Sequence, residues 1–95
     1  MLVNRRTFTA QKGKLEEAAA FLKEAIQRLG FPHATRVLVA DLGPFDTLVE
    51  EFEFETLAEY ERFMQQIGSK LTAEDWAKWH SLTLSGGTNE IWQLK

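Results

Sequence analysis

The chain contains no cysteine, so disulfides and thiolate metal sites are excluded and a reducing, cytoplasmic setting is expected. It has only two histidines, His33 and His80, far apart in sequence, which make no metal signature. No stretch approaches the roughly 18 apolar residues of a membrane span. The N-terminal residues MLVNRRTFTA carry basic side chains without an apolar segment behind them, so they do not read as a signal peptide. Positive charge is scarce: the net charge is −3 and Arg5-Arg6 is the one adjacent basic pair, which argues against a nucleic-acid surface. Proline occurs twice, and no Pro/Ser-rich linker or low-complexity tract divides the chain. No nucleophile motif, phosphate loop or dinucleotide fingerprint is present, and Gly86-Gly87 lacks the Lys-Ser/Thr of a P-loop. Neither a metal nor a cofactor is expected.

The chain does have enough apolar side chains, at 44%, to fold as a globular unit, and its 95 residues suit one domain over 1–95. A domain of this size buries only about 60–65% of its unfolded surface. Packing against a second copy would help.

The periodicities give an order of elements. Leu2 to Thr9 has strand propensity. Leu15, Ala19, Leu22, Ile26 and Leu29 form one helical stripe in a helix from about Lys14 to Leu29, with Gly30 placed as its C-terminal cap. Ala34 to Leu42 is a second strand, and Gly43-Pro44-Phe45-Asp46 turns it into a third beginning at Thr47. Thr56 and Glu59 form a capping box for a helix striped by Leu57, Tyr60, Met64 and Ile67 and ended by Gly68. Thr72 and Asp75 start a short third helix, through Trp76 and Trp79 to about Leu84. The segment NEIWQLK is the fourth strand. The order β-α-β-β-α-(α)-β predicts an α+β, ferredoxin-like split βαβ fold: a four-stranded antiparallel sheet with helices on one face.

The third strand, TLVEEFEFETL, carries acid on both faces. Leu48, Glu50, Phe52 and Phe54 point one way and Val49, Glu51, Glu53 and Glu55 the other. The helices need an apolar floor, which Leu2, Phe8, Leu48, Phe52 and Phe54 supply. The opposite face, with Arg5, Thr7 and Thr9 beside three glutamates, is expected to be polar and satisfied by water and Arg5. Asn4, Arg6 and Glu50 then lie among aromatics beneath the helices. A faint echo between LVNRR and IWQLK aligns Asn4 with Gln93, which would bring Gln93 to the same floor.

Three stretches resemble the NIPSNAP-like branch of the dimeric α+β barrel superfamily: RRTFTAQKGKLEEA, DLGPFDTLVEEFEFETLAEYERF and GGTNEIW. Arg6-Thr7-Phe8-Thr9 matches that family's Arg-Thr-Tyr-Thr, with Phe8 where tyrosine is usual. Phe52 and Phe54 fall where the family tends to have Trp and Tyr, and Glu50 falls where His is frequent. Roles tied to a phenol or imidazole at those places do not transfer. The resemblance implies a homodimer whose sheets pack face to face, and a pocket between each sheet and its own helices. Fold likeness alone does not carry an activity.

Arg6 and Glu50 lie on neighbouring strands and allow two readings. They neutralise each other, or they line a ligand pocket with Arg6 on an anionic or carbonyl oxygen and Glu50 as a base. In the second reading Arg6, Glu50 and His80 are catalytic candidates. Asn4, Phe8, Phe52, Phe54, Trp76 and Gln93 are the binding candidates for a small apolar or carbonyl-bearing molecule. His80 shares a helical face with Trp76, either at the rim of an aromatic lid or at a pocket mouth. The corresponding functions are a cofactor-independent monooxygenase or isomerase, or a non-catalytic dimeric ligand-binding or stress-response module. A third follows from NRRTFTAQKG, which also resembles the IsdG-type heme-degrading monooxygenases, with Asn4 at their essential Asn and His80 at their heme ligand. Their Trp falls near Phe63 here, which is a departure.

Overall fold

A computed structural model describes all 95 residues, Met1–Lys95. The order is β1 (Leu2–Thr9), α1 (Leu15–Leu29), β2 (Thr35–Val39), β3 (Thr47–Phe54), α2 (Leu57–Lys70), α3 (Ala73–Leu82) and β4 (Thr88–Gln93). The strands form one antiparallel sheet in the order β2-β3-β1-β4, with the helices on one face, which is the ferredoxin-like arrangement. No helix is long and apolar enough to cross a membrane.

The ends of the helices follow local chemistry. Gly30 adopts the left-handed conformation that closes α1, at φ 66°. Thr56 Oγ1 accepts the Glu59 N–H at 3.1 Å, while the Glu59 carboxylate reaches past Thr56 to the Glu55 N–H at 2.8 Å. Thr72 and Asp75 make the fully reciprocal box, at 2.8 and 3.1 Å, so the tighter cap belongs to α3. Gly68 does not stop α2, which continues to Lys70. A glycine inside a helix costs only about 1 kcal/mol, and the chain beyond it still offers helix formers. β2 is shorter at both ends than its apolar run suggests, and α3 ends at Leu82 rather than Leu84.

The period-two reading of β3 holds: Leu48, Phe52 and Phe54 are buried on the helix side. Leu48 packs with Ala18, Ala19, Leu22 and Ile26 of α1 and Leu82 of α3, against which Phe8 and Trp79 also lean. The α2 stripe is shallower than expected, for no residue of that helix is buried and Leu57 is 60% exposed. β4 is exposed along its whole length. It pairs with β1 as Leu2↔Gln93, Asn4↔Ile91 and Arg6↔Asn89. Gln93 is therefore opposite Leu2, and Asn89 is the β4 residue beside Arg6. The repeat alignment runs the two segments in the same direction, whereas the strands are antiparallel. The start of β4 is set by Gly87, at φ 101°, where a Cβ would fall 2.2 Å from the Thr7 carbonyl oxygen.

Leu48→Ala is expected to cost about 2–5 kcal/mol, as for a fully enclosed leucine. Leu57→Ala should cost less than about 0.5 kcal/mol. Urea denaturation of the two variants checks this, and similar losses would mean that α2 is packed more deeply than described.

Candidate functional site

Between the sheet and the helices lies a cavity of about 130 Å³. Its floor is Arg6 and Phe8 of β1 with Glu50 and Phe52 of β3. α1 contributes Phe21, Leu22 and Ile26, the connector Phe31, α2 Ile67, and α3 Asp75, Trp76 and Trp79. The aromatic rings brace one another. Trp79 meets Phe8 edge-on at 4.9 Å and stacks on Phe21 at 6.0 Å, while Phe31 stacks on Phe52 at 4.6 Å. Offset and edge-on pairs of this kind hold their rings without filling the space between them.

Arg6 and Glu50 are directly opposed across the β1–β3 ladder, yet no salt bridge joins them. The guanidinium points elsewhere. Its Nε donates to Asn4 Oδ1 at 3.0 Å and its Nη2 to Tyr60 Oη at 3.2 Å, with Met64 Sδ at 2.9 Å. It also lies over the Phe52 ring, 5.7 Å from the centroid. Asn4 is fully buried, and its amide is fixed by what surrounds it. Arginine can only donate, so the amide oxygen must face Arg6, and the nitrogen donates to Asn89 Oδ1 at 2.6 Å and the Glu90 carbonyl at 2.8 Å.

Glu50 is 7% exposed and no protein group donates to its carboxylate, whose oxygens keep a little accessible surface, since no fully buried side-chain oxygen lacks a partner. Burial pushes its pKa up from the ordinary carboxylate value, and the positive charge of Arg6 only partly opposes that rise. Glu51, one residue on, is 4% exposed on the opposite face, which the alternation alone placed in water. It is covered by arginines: Arg5 Nε and Arg36 Nε both reach it at 2.6 Å, and Arg36 Nη1 continues to Glu53 at 2.9 Å. Burial raises the Glu51 carboxyl, but the hydrogen bonds from Arg5 and Arg36 outweigh it and hold the pKa below the usual value. Arg36 comes from the β2–β3 register, Arg36↔Glu51, which periodicity within one strand cannot reveal.

At the helix end of the cavity, Asp75 takes both Arg28 Nη groups, at 3.1 and 2.9 Å. The Arg28 hydrogen bonds, helped by the Thr72 N–H, lower its pKa to about 2. Asp75 therefore stays ionised and occupied. Of the candidates drawn from the sequence, Arg6, Phe8, Glu50, Phe52 and Trp76 line the cavity. Asn4 lies behind Arg6, and Phe54 packs beside Tyr60 at 5.0 Å. His80 is exposed, 6.2 Å from Trp76, and Gln93 is exposed at the far end of β4; neither reaches the cavity. Phe21 and Phe31 were not legible as site residues, since one lies beside the α1 stripe and the other in a connector. No group of three or more His, Asp or Glu side chains is placed to hold a metal.

No protein-family profile matches the chain, and no curated protein matches it. Solved structures do. An uncharacterised NIPSNAP-like domain protein from Burkholderia xenovorans superposes with a TM-score of 0.75 at 19% identity, over 99% of this chain and 84% of that one. The chain has the fold of the NIPSNAP-domain proteins. A NIPSNAP family protein from Agrobacterium tumefaciens also gives 0.75, at 16% identity over 99% of this chain and 92% of that one. An antibiotic biosynthesis monooxygenase gives 0.69 at 12% identity, over 100% and 99% of the two chains. The NIPSNAP resemblance of the sequence and this NIPSNAP-type fold agree; at these identities the likeness is one of fold.

Between about pH 4.5 and the raised value of Glu50, the folded chain holds a proton that the unfolded chain has lost. Stability must then fall as pH rises through that window, by up to about 1.4 kcal/mol per pH unit. Glu50→Gln should remove this slope and leave the rest of the pH profile unchanged. Denaturant titrations of both proteins from about pH 4.5 to about pH 7.5 decide it, and parallel profiles would mean that Glu50 is not desolvated.

Proposed function

We propose that the cavity binds a small, largely apolar, carbonyl-bearing molecule and that Glu50 and Arg6 transfer a proton on it without a cofactor. The observation that carries this reading is the separation of the pair. Glu50 is buried, faces the cavity and has no protein partner, while Arg6 stands across the ladder bonded to other groups. Two groups that only neutralised each other would close the floor. In the catalytic step ionised Glu50 takes a proton from the carbon next to the carbonyl. The C–H electron pair moves onto the carbonyl oxygen as an enolate, which Arg6 stabilises. Return of the proton to a neighbouring carbon gives an isomerase. Addition of dioxygen to the enolate carbon, with a proton, gives a hydroperoxide. Loss of water, taking the second hydrogen of that carbon and breaking the O–O bond, leaves a new carbonyl there, so a substrate with two hydrogens on that carbon supplies all four electrons of a monooxygenase reaction. The second outcome accords with the fold shared with an antibiotic biosynthesis monooxygenase.

The heme reading has less support: His80 is exposed outside the cavity, and about 130 Å³ is below the range of roughly 300–1,000 Å³ common for drug-sized ligands. The non-catalytic module remains the outcome if proton transfer fails. A cytoplasmic location is part of the proposal, and the cysteine-free composition is compatible with it.

Solvent exchange measures the step directly. In D₂O the protein should catalyse deuterium incorporation next to the carbonyl of members of a panel of small enolisable ketones, read by NMR. Glu50→Gln should slow this by about 10²–10⁴-fold while keeping the fold. Absence of exchange across the panel would favour the binding module.

A homodimer is part of the same reading. Only 16 of the 95 residues are buried in the isolated chain, and Leu38, Trp92 and Leu94 are exposed by 46, 53 and 55%. A second copy over the sheet would cover such surface. Sedimentation at micromolar concentration should give about twice the 10.9 kDa chain mass. A stable folded monomer would overturn the dimer.

A further inference from the structure

The apolar cavity is not alone beside Arg6. A second, more open cleft of about 300 Å³ is lined by Arg6, Phe8, Gly86, Gly87, Thr88 and Asn89. Arg6 and Phe8 belong to both spaces. Gly87, on its wall, passes so close to the Thr7 carbonyl that no side chain fits there. One space is walled by aromatic rings and the other by polar groups and bare backbone, with a guanidinium between them.

That guanidinium has unused capacity. Nε and Nη2 are taken by Asn4, Tyr60 and Met64, whereas Nη1 has no protein partner. Among the three arginines of the sheet, Arg5 and Arg36 hold carboxylates at 2.6 Å, and Arg6 has none within salt-bridge distance. A partly buried cation without a counter-ion calls for an anion. We propose that the ligand is a monocarboxylate whose apolar body lies among Phe8, Phe21, Phe52 and Trp79 and whose carboxylate sits on Nη1 of Arg6 at the opening of the Gly86–Asn89 cleft. This rests on the reading of the cavity as a ligand site. It explains how so small a cavity serves: the head of the ligand lies outside it, and only its apolar body must fit within.

Glu50 then regulates binding. Its charged and titratable neighbours are Arg6 on β1, Asp75 on α3, already held by Arg28 of α1, and Tyr60 on α2, bonded to Arg6; on β2 its partner is Val37. With Glu50 protonated, Arg6 faces the ligand without a competing negative charge. Affinity should fall as pH rises and Glu50 ionises.

The test compares benzoate with benzamide and hexanoate with hexanamide, by tryptophan fluorescence and calorimetry on the wild-type chain. Each acid should bind at least about ten-fold more tightly than its amide at about pH 6. The two acids distinguish a planar from a flexible body. Arg6→Gln should abolish the preference, and Glu50→Gln should flatten its pH dependence. If Arg6→Gln does not fold, the wild-type ratio of acid to amide decides alone. Amides binding as well as acids would overturn the carboxylate proposal and leave the cavity reading standing. No binding by any of the four would overturn both.

Discussion

The hydrogen bond from Arg6 Nε to Asn4 Oδ1 governs the character of this site. Asn4 and Arg6 are two residues apart on one strand, so their side chains share a face. Asn4 is itself immobilised from β4, through the Asn89 side chain and the Glu90 carbonyl. The chain of constraint therefore runs from β4 to Asn4, from Asn4 to Arg6, and ends by turning the guanidinium away from its cross-strand neighbour. Glu50 is left desolvated and unpaired as a result. A buried carboxylate deprived of its nearest cation is costly as an anion. The fold tolerates it because the proton can stay on.

β3 shows two solutions to the burial of an acid. Glu51 is enclosed by Arg5 and Arg36 and held firmly ionised. Glu50 is enclosed by apolar groups and pushed the other way. They are adjacent in sequence, so the difference comes entirely from what the two faces of the sheet meet. Ionisable groups driven apart in this way are the raw material of acid–base chemistry.

Much of this was legible in the sequence. The alternation in Leu48, Glu50, Phe52 and Phe54 placed Glu50 under the helices, and the stripes and caps placed the helices themselves. What was not legible depends on register and reach. Arg36 covers Glu51 only because β2 pairs with β3 in one particular alignment. Asn89 replaces Gln93 beside the site because β4 runs antiparallel to β1. Gly68 looked like a stop, yet a helix passes through it, and a side chain there would point into open space. The choice of Asn4 over Glu50 as partner of Arg6 is a rotamer decision, which periodicity does not encode.

β4 is exposed along its whole length and hydrogen-bonded along one edge, to β1 alone. Such a strand belongs to the low-stability end of a protein's opening spectrum. Without β4, Asn4 would lose both partners of its amide nitrogen and its hold on Arg6 would loosen. The guanidinium would then be free to approach Glu50 and favour its ionisation, the proton passing to solvent. An edge strand that contributes nothing to the lining of the cavity thus holds the polarity of the site through one buried amide.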